Sequence, residues 1–471
     1  MSRSIFLTQF LGSRTKFSLI HYPRYVQSVA GVGLNTGLIT AMVSLGFPVS
    51  ALADPLTQPR VSIDYINKSF TGAFRVSHTD KKDYELTTAW GEGRIAYNSK
   101  RHSVFVDSHV YKDSIAEFKV PSKLSRSPNY KDLPKAEMLQ DFAPVLTRTK
   151  TGNKQSIDTL GGMFYEQGKL FVHAYEYYDA PADNTHTTLV IEDADKLATS
   201  EVKGFYEMEG QAKTVSYSSA LPSEWARYLN ATHLAGNGGG LTINSRLSIG
   251  PSLYTFDTGE FAKSDRGFIK NKEWLSYKLD NALSTSLYEH NDQWGRWDAF
   301  NETGKRSNFK TSNDLWTDSS AAWFGFIVPN TRTYAVFGLS GMHKSGGGYK
   351  ATQIDGNKCG GPCPLDPADS YSYYWLYDMA DIVKGRAGKD AVPYEYGEFD
   401  NTFLDHGKGN TVGYPNAGAF DASTNRLMLS FKSVGDASGG GSPVIKVYDF
   451  KGGNQLPKPP KNLKVSDKKQ R

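Results

Sequence analysis

Short apolar segments separated by polar turns recur along the chain and predict β-hairpins. The clearest covers 161–181, where two glycines precede an apolar strand, a tight turn lies at 167–169, and a second strand alternates apolar and polar residues. The same pattern predicts further hairpins at 326–336 and 419–429. Repetition of one antiparallel unit predicts an all-β fold.

The other predicted strands follow one another with little helical periodicity between them. Alternating or apolar runs predict strands at 61–65, 72–76, 94–98, 103–106, 114–121, 189–192, 254–257, 375–378 and 444–450. The main helix candidate is 222–229, which opens with a proline and is expected in an insertion between strands. A fold built from so many short strands must leave few sheet edges exposed, because an exposed edge can pair with another chain.

A closed ring of four-stranded blades, the β-propeller, meets that requirement with short, protected edges. The predicted strands at Val104 and Leu427 are about 320 residues apart. At ~40–50 residues per blade, this distance gives about six intervals and predicts seven blades, with six as the alternative. A pair of β-sandwiches would need a linker, and no Pro-rich or Ser-rich linker precedes 456–460; a β-helix would show a much shorter period. We therefore expect one propeller domain over 54–457.

The composition agrees with many short strands joined by turns. The 471 residues include 45 glycines, 27 tyrosines and 25 phenylalanines, and charged residues make up 22%. The formal net charge is +5, but residues 1–53 carry four basic side chains and no acidic one. The remainder is close to neutral, which excludes a general surface for nucleic acids or other polyanions.

The N-terminus has the pattern of a targeting segment. A basic region without acidic residues is followed by an apolar stretch at 29–49 and by Ala51-Leu52-Ala53. We interpret 1–53 as a signal peptide, with an uncleaved membrane anchor as the alternative, and expect no membrane span in the mature chain. The mature protein is then secreted or periplasmic, and 458–471 is expected to form a disordered basic tail.

The two cysteines stand close together, as Cys359 and Cys363 with two glycines and a proline between them. In an oxidising compartment this spacing predicts a disulfide that closes a small loop. Free thiols, or a metal site completed by distant residues, remain the alternatives.

Several stretches together resemble a family of secreted bacterial propeller-like proteins, most of which have no assigned activity. The resemblance lies in 161–179, 245–252, 326–338 and 418–448 and supports the fold more than any chemistry. More distantly, the chain resembles the seven-bladed propeller lyases that cleave ulvan-type uronic acid polysaccharides.

That distant resemblance implies a catalytic set. Lyases of this type use histidines, a tyrosine and an arginine to bind the uronate and abstract its C5 proton, and the matching positions are His186, Tyr228 and Arg246. The match departs from the pattern in two places. Tyr165 and Glu166 stand where another histidine is expected, and Tyr228 requires a small loop shift.

Aromatic and acidic side chains in two places are candidates for ligand binding. Tyr175, Tyr178 and Asp179 follow the strand residue His173, and flat amphipathic rings beside a carboxylate suit a sugar. Packing in the core is the competing interpretation for this group. Trp294 and Trp297 form a second cluster in a glycine-containing loop.

These observations lead to three functional hypotheses for an extracytoplasmic propeller. The first is the binding of a carbohydrate in a pocket lined by aromatic residues; the second is a polysaccharide lyase that cleaves by β-elimination; the third is a protein-interaction scaffold that uses a flat face and the basic tail. No cofactor is expected, although a structural calcium ion is left open. The expected partner is a carbohydrate or other extracellular ligand, not a nucleic acid, and the expected state is a monomer.

Overall fold

The computed structural model describes residues 54–80, 82–84, 86–179, 183–239, 248–263, 266–278, 283, 314–349, 352–385, 391–407, 411–435 and 441–450. Strands dominate these ranges and form five main sheets, confirming the all-β prediction. The α-helices described are short: α1 (Ile63–Lys68), α2 (Ser223–Leu229) and α3 (Met379–Lys384). Short 3-10 helices lie at Pro55–Thr57, Tyr130–Asp132, Ala194–Lys196, Gln211–Thr214 and Thr258–Lys263.

Each main sheet forms one blade, and in the first three blades the strands follow chain order from the inside outward. Blade 1 contains β2 (Ile95–Asn98), β3 (Ser103–Asp107), β4 (Ser114–Lys119) and β5 (Glu137–Pro144). Blade 2 contains β6 (Thr159–Glu166), β7 (Lys169–Tyr175), β8 (His186–Ile191) and β9 (Val202–Met208), with β14 (Phe268–Ile269) parallel to β9 at its edge. Blade 3 contains β10 (Tyr217–Ala220), β11 (His233–Gly236), β13 (Leu253–Phe256) and β15 (Lys272–Leu275).

The last two blades each take a strand from elsewhere in the chain. Blade 4 contains β16 (Ala321–Ile327), β17 (Thr333–Gly341), β20 (Ser370–Asp378) and β21 (Glu395–Glu398), and β12 (Gly238–Gly239) pairs with β16. Blade 5 contains β22 (Pro415–Asp421), β23 (Arg426–Val434), β24 (Ser442–Asp449) and, outermost, β1 (Phe70–Arg75). A separate two-stranded sheet pairs β18 (Gly347–Tyr349) with β19 (Pro362–Pro364).

The inner strands of the five blades close into a ring. Strands β2, β6, β10, β16 and β22 each contact the next in this order, and β22 contacts β2. Strand β1 completes the last blade by antiparallel pairing with β24, so the N-terminal strand joins the C-terminal blade. Opening the ring therefore requires breaking that pairing, and each blade is left with only a short outer edge.

The described residues form five blades, and the prediction of seven blades, or six, is wrong. Val104 lies in the first blade and Leu427 in the fifth, so their separation spans four intervals. The estimate failed because blades 3 and 4 carry long insertions. These two blades occupy the whole segment from the start of β10 at Tyr217 to the start of β22 at Pro415. Chain length divided by a typical repeat overcounts blades wherever loops are long.

Two glycines at the start of β6 allow two blades to approach closely. A Cβ atom on Gly161 would lie 2.3 Å from the carbonyl oxygen of Val215, and one on Gly162 would lie 2.6 Å from that of Ser216. The amide of Gly162 donates to the Val215 carbonyl at 2.7 Å. The paired glycines thus permit direct backbone contact between blades 2 and 3.

Most local predictions are confirmed, with one clear exception. Gln167 and Gly168 both have positive φ angles, 48° and 88°, as a two-residue hairpin turn between β6 and β7 requires. Helix α2 occupies the predicted segment and lies between β10 and β11. The predicted strand at 61–65 is wrong, because α1 begins at Ile63 and buries Ile66 one turn later.

The predicted disulfide is present. Cys359 and Cys363 are bonded, and both are buried beside Leu365, with Cys363 in β19. Of the helices in the described part of the chain, none has the length and apolar character needed to cross a bilayer. The predicted signal peptide at 1–53 and the predicted tail at 458–471 lie outside the described residues.

Candidate functional site

The ring has two chemically different ends. The inner strands β2, β6, β10 and β22 all begin at one end, which we call the start end, and finish at the other, which we call the turn end. A cavity of about 430 Å³ opens where these four strands finish. We call it the turn-end pocket; its aromatic lining is Tyr97, Phe164, Tyr165 and Phe420, and its main polar lining is Lys100, Glu166, Gln167, Ser218, His233 and Asp421.

Four blades contribute to this pocket, and three of their inner strands carry an aromatic residue just before the turn. Tyr97 lies near the end of β2, Phe164 and Tyr165 near the end of β6, and Phe420 near the end of β22. Blade 3 contributes the end of β10 and the start of β11. Residues more than 300 positions apart in the chain therefore share one cavity through ring closure.

The aromatic rings are held by packing behind them. Phe164 stacks on Phe171, with ring centroids 4.5 Å apart and an interplanar angle of 4°. Tyr165 stacks on Phe105 at 6.2 Å, and Phe420 contacts Phe326 at 5.0 Å. Of these rings Tyr165 is only partly buried, so it can present a defined face to a ligand with little loss of conformational entropy on binding.

Two carboxyl groups from different blades belong to the pocket. Glu166 is half-buried, and burial raises its pKa; the nearby charge of Asp421 acts in the same direction, against a hydrogen bond from Gln167 and the charge of Lys100. Asp421 accepts hydrogen bonds from the backbone N–H of Ser423 at 3.0 Å and from its hydroxyl at 2.7 Å. The hairpin turn thereby fixes the Asp421 carboxylate at the rim.

A pair of buried histidines lies beside and behind the pocket. Nε2 of His173 is 2.7 Å from the hydroxyl of Ser218, which lines the cavity, and Nδ1 is 2.8 Å from the hydroxyl of Thr188. Burial lowers the pKa of both His173 and His233 to about 3, and for His233 the charge of His173 contributes as well. Both imidazoles are neutral at physiological pH, so the 4.0 Å approach of His233 to Glu166 is not an ion pair.

The predicted catalytic residues do not meet in the turn-end pocket. His186 begins β8 at the start end and lines a separate cavity of about 190 Å³, whereas Tyr228 lies on α2, which follows β10 at the turn end. Nε2 of His186 accepts from Nη2 of Arg266 at 2.8 Å, so the proton of the neutral ring is on Nδ1. Arg246 lies outside the described residues.

The predicted ligand-binding residues are also dispersed. His173 reaches the turn-end pocket through Ser218, while Tyr175 is buried at the opposite end of β7. Tyr178 is 65% exposed, and Asp179 is buried and accepts from the backbone of Asp183 and Asn184, both at 3.1 Å. Trp294 and Trp297 lie outside the described residues.

Among the described residues, one loop could hold a cation. The carboxylates of Glu176, Asp179 and Asp183, in the loop between β7 and β8, lie within 4.8 Å of one another. Asp179 is already engaged with the loop backbone, which explains its burial without a metal.

Sequence reasoning missed Phe164, Glu166, His233, Phe420 and Asp421 as site residues. The signal was present, since the predicted hairpins at 161–181 and 419–429 both carry a phenylalanine just before the turn. In a propeller, the first hairpin turns of all blades lie at the same end of the ring. Comparing those turns would have identified the pocket.

Comparison with known proteins leaves the chain without a family. No protein-family model matches it, and no curated protein matches it. Among solved structures, it is similar to the catalytic domain of the Coprinopsis cinerea GH62 α-L-arabinofuranosidase, with 11% sequence identity and a TM-score of 0.28 over 81% of this chain and 98% of that chain. A likeness this weak assigns neither fold nor activity, so the five-bladed propeller rests on the strand pairing and the ring of inner strands.

Proposed function

We propose that this protein binds a neutral carbohydrate in the turn-end pocket. The observation that carries the proposal is the composition of that cavity, in which three blades place aromatic rings, and four blades together place hydroxyl, amide, imidazole and carboxyl groups. Its volume of about 430 Å³ lies within the range of small-ligand sites, roughly 300–1,000 Å³.

Carbohydrates match this lining because they are amphipathic. The face of a pyranose ring carries C–H groups that pack on aromatic side chains such as Tyr165, while the equatorial hydroxyls need hydrogen-bond partners at the edges. Glu166 and Asp421 can accept such hydrogen bonds, and Gln167 can both donate and accept.

The charges in the pocket favour a neutral sugar over a polyanion. Glu166 and Asp421 place two carboxyl groups against the single cation of Lys100, and the buried His233 is uncharged at neutral pH. A uronic acid polysaccharide would bring further negative charge to these carboxylates, which is unfavourable at close range.

The disulfide supports a location outside the cytoplasm. The bond between Cys359 and Cys363 suits an oxidising compartment. Together with the predicted targeting segment at 1–53, it supports binding of an extracellular or envelope carbohydrate.

Calorimetric titration with a panel of neutral mono- and oligosaccharides tests the proposal. We expect at least one sugar to bind. Tyr165→Ala and Glu166→Gln should each raise its dissociation constant tenfold or more, a loss of about 1.4 kcal/mol of binding free energy. Tyr178→Ala is the matched control, because it removes an exposed tyrosine far from the pocket and should leave affinity unchanged. Absence of binding across the panel would contradict the proposal, as would unchanged affinity in both pocket variants.

The same preparations separate binding from elimination. A lyase would release unsaturated products that absorb ultraviolet light when incubated with uronic acid polysaccharides. Since His186 and Tyr228 lie at opposite ends of the blades, we expect no such products. Their appearance in the wild type and disappearance in a His186→Ala variant would instead favour the lyase.

A further inference from the structure

A buried ionic cluster lies at the start end of the ring, opposite the turn-end pocket. We call it the start-end cluster, and it consists of Glu92, Arg94, Trp323, Asn416 and Lys432. Blade 1 supplies the first two residues at the entry to β2, blade 4 supplies the tryptophan from β16, and blade 5 supplies the last two from β22 and β23.

One oxygen of the Glu92 carboxylate is engaged within this cluster. Its Oε2 accepts from Nζ of Lys432 at 3.0 Å and from Nδ2 of Asn416 at 3.3 Å. Burial alone would raise the pKa of Glu92, but Lys432 and Arg94 outweigh burial and bring that pKa to about 2. Glu92 is therefore ionised and accepts directly from Lys432, whereas Nη2 of Arg94 lies 3.9 Å from the same Oε2, beyond hydrogen-bond distance.

Arg94 is completely buried, yet one edge of its guanidinium has no acceptor. Nη1 donates to the backbone carbonyl of Asn416 at 2.8 Å, and the guanidinium lies 4.9 Å above the ring of Trp323. Among the described residues, Nε and Nη2 of Arg94 have no hydrogen-bond partner, and neither do Nε1 of Trp323 and Oδ1 of Asn416. Buried donors left unpaired are destabilising, so groups of this kind call for a ligand or water.

The unpaired edge of Arg94 is the same edge by which another arginine of this protein binds a carboxylate. Nε of Arg426 donates to Oδ1 of Asp449 at 2.7 Å, and Nη2 of Arg426 donates to Oδ2 at 3.0 Å. Two parallel N–H groups on one planar edge match the two oxygens of a carboxylate. Arg94 offers the same pair of atoms, and no carboxylate of the described residues accepts a hydrogen bond from them.

The net charge of the cluster favours an incoming anion. Arg94 and Lys432 carry two positive charges against the one negative charge of Glu92; burial raises the pKa of the adjacent Asp107 to about 7, so that carboxyl group adds only part of a negative charge at neutral pH. The two carboxyl oxygens of Asp107 accept hydrogen bonds from the backbone N–H groups of Glu92 and Arg94, both at 2.9 Å. Glu92 and Lys432 are 26% and 19% exposed, so the cluster reaches solvent although Arg94 does not.

We propose that the start-end cluster binds the carboxylate of a small organic acid through Nε and Nη2 of Arg94, with the indole N–H of Trp323 as a neighbouring donor. The carboxylate can belong to a simple acid or to a sugar acid, and the chemistry of recognition is shared. This site lies at the opposite end of the ring from the proposed carbohydrate pocket and does not depend on it.

Titration calorimetry with acetate and with glucuronate tests the site, with acetamide and glucose as uncharged counterparts. We expect the acids to bind and the uncharged analogues not to compete with them. Arg94→Lys keeps the charge but removes the planar fork, and should weaken binding at least tenfold. Trp323→Phe keeps the ring and removes one N–H, so we expect several-fold weakening even if Arg94→Lys fails to fold.

Arg101→Lys is the matched control, because Arg101 is a surface arginine already paired with Glu117 and Asp195, both at 3.2 Å. Arg101→Lys should leave the binding of both acids unchanged, as should Glu166→Gln in the turn-end pocket. Equal affinity for both acids would identify a simple carboxylate as sufficient, and tighter binding of glucuronate would identify a sugar acid. If neither acid binds the wild type, water satisfies Arg94 and the proposal is overturned; undiminished binding in both cluster variants overturns it too.

Discussion

Gly161→Ala should be among the most destabilising single substitutions in this protein, lowering the free energy of unfolding by about 3 kcal/mol or more. The added Cβ would lie 2.3 Å from the carbonyl oxygen of Val215, a backbone atom that no rotamer change can move. Relief requires separating β6 from the segment before β10, which breaks the 2.7 Å hydrogen bond from Gly162 to that carbonyl. Urea unfolding followed by circular dichroism measures the loss.

Gly361→Ala is the matched control for this substitution. Gly361 has no heavy atom within 4 Å of an added Cβ and its φ angle is not positive, so the change should shift stability by less than about 1 kcal/mol. Similar stabilities for the two variants would contradict the close approach of blades 2 and 3, and with it the tight ring of five inner strands.

His173→Gln should reduce the slope of the unfolding free energy against pH, on the acid side, by about 1.4 kcal/mol per pH unit. Burial lowers the pKa of His173 from its ordinary 6.5 to about 3, so the unfolded chain binds a proton in this interval and the folded protein does not. The stability that this imidazole contributes is complete above pH 6.5 and is lost as pH falls towards 3. Unfolding free energies of the wild type and the variant at about pH 7, 6, 5 and 4 give the two slopes.

The slopes of the two proteins must be compared because buried carboxyl groups change the stability with pH in the opposite direction to His173. Burial raises the pKa of Asp107, Asp113 and Asp318 to about 7, and their contribution is present below about pH 4 and lost as pH rises through 7. These groups are common to both proteins, so their effects cancel in the difference.

Thr188→Val serves as the control for the histidine. It removes the hydroxyl 2.8 Å from Nδ1 of His173 but keeps the titrating ring, so it should lower stability while the acid slope stays steep. If His173→Gln and the wild type have the same slope between about pH 6.5 and 4, His173 is not buried in a neutral form, and the polar network behind Ser218 is different from that described.

Local sequence patterns predicted the hairpins because their determinants are local. The turn between β6 and β7 needs two residues that accept positive φ angles, and Gln167-Gly168 supplies them within the segment itself. The failure at 61–65 depends on tertiary packing as well. Five residues that alternate also satisfy the spacing of a single helical turn, and packing of Ile66 decided in favour of the helix.

The candidate site was less predictable than the hairpins. Tyr165 and Glu166 were noticed in the sequence, but as a departure from a lyase pattern, since nothing local relates them to Asp421 or His233 in other blades. The lyase resemblance puts His186 and Tyr228 in one catalytic set, yet β8 begins at the start end of the ring and α2 lies at the turn end. Sequence distance carries no information on which end a residue occupies until strand directions are known.

The amino-acid sequence by itself determined the antiparallel hairpins, the all-β propeller class and the disulfide between Cys359 and Cys363, because backbone turns, side-chain alternation and a short cysteine loop are local properties. The tertiary structure alone decided that five blades close the ring, that β1 completes the last blade, and that Arg94 is buried with a free edge. Each of these depends on contacts between residues distant in the chain, whose free energies arise from packing and desolvation in the closed ring and leave no periodic trace in the sequence.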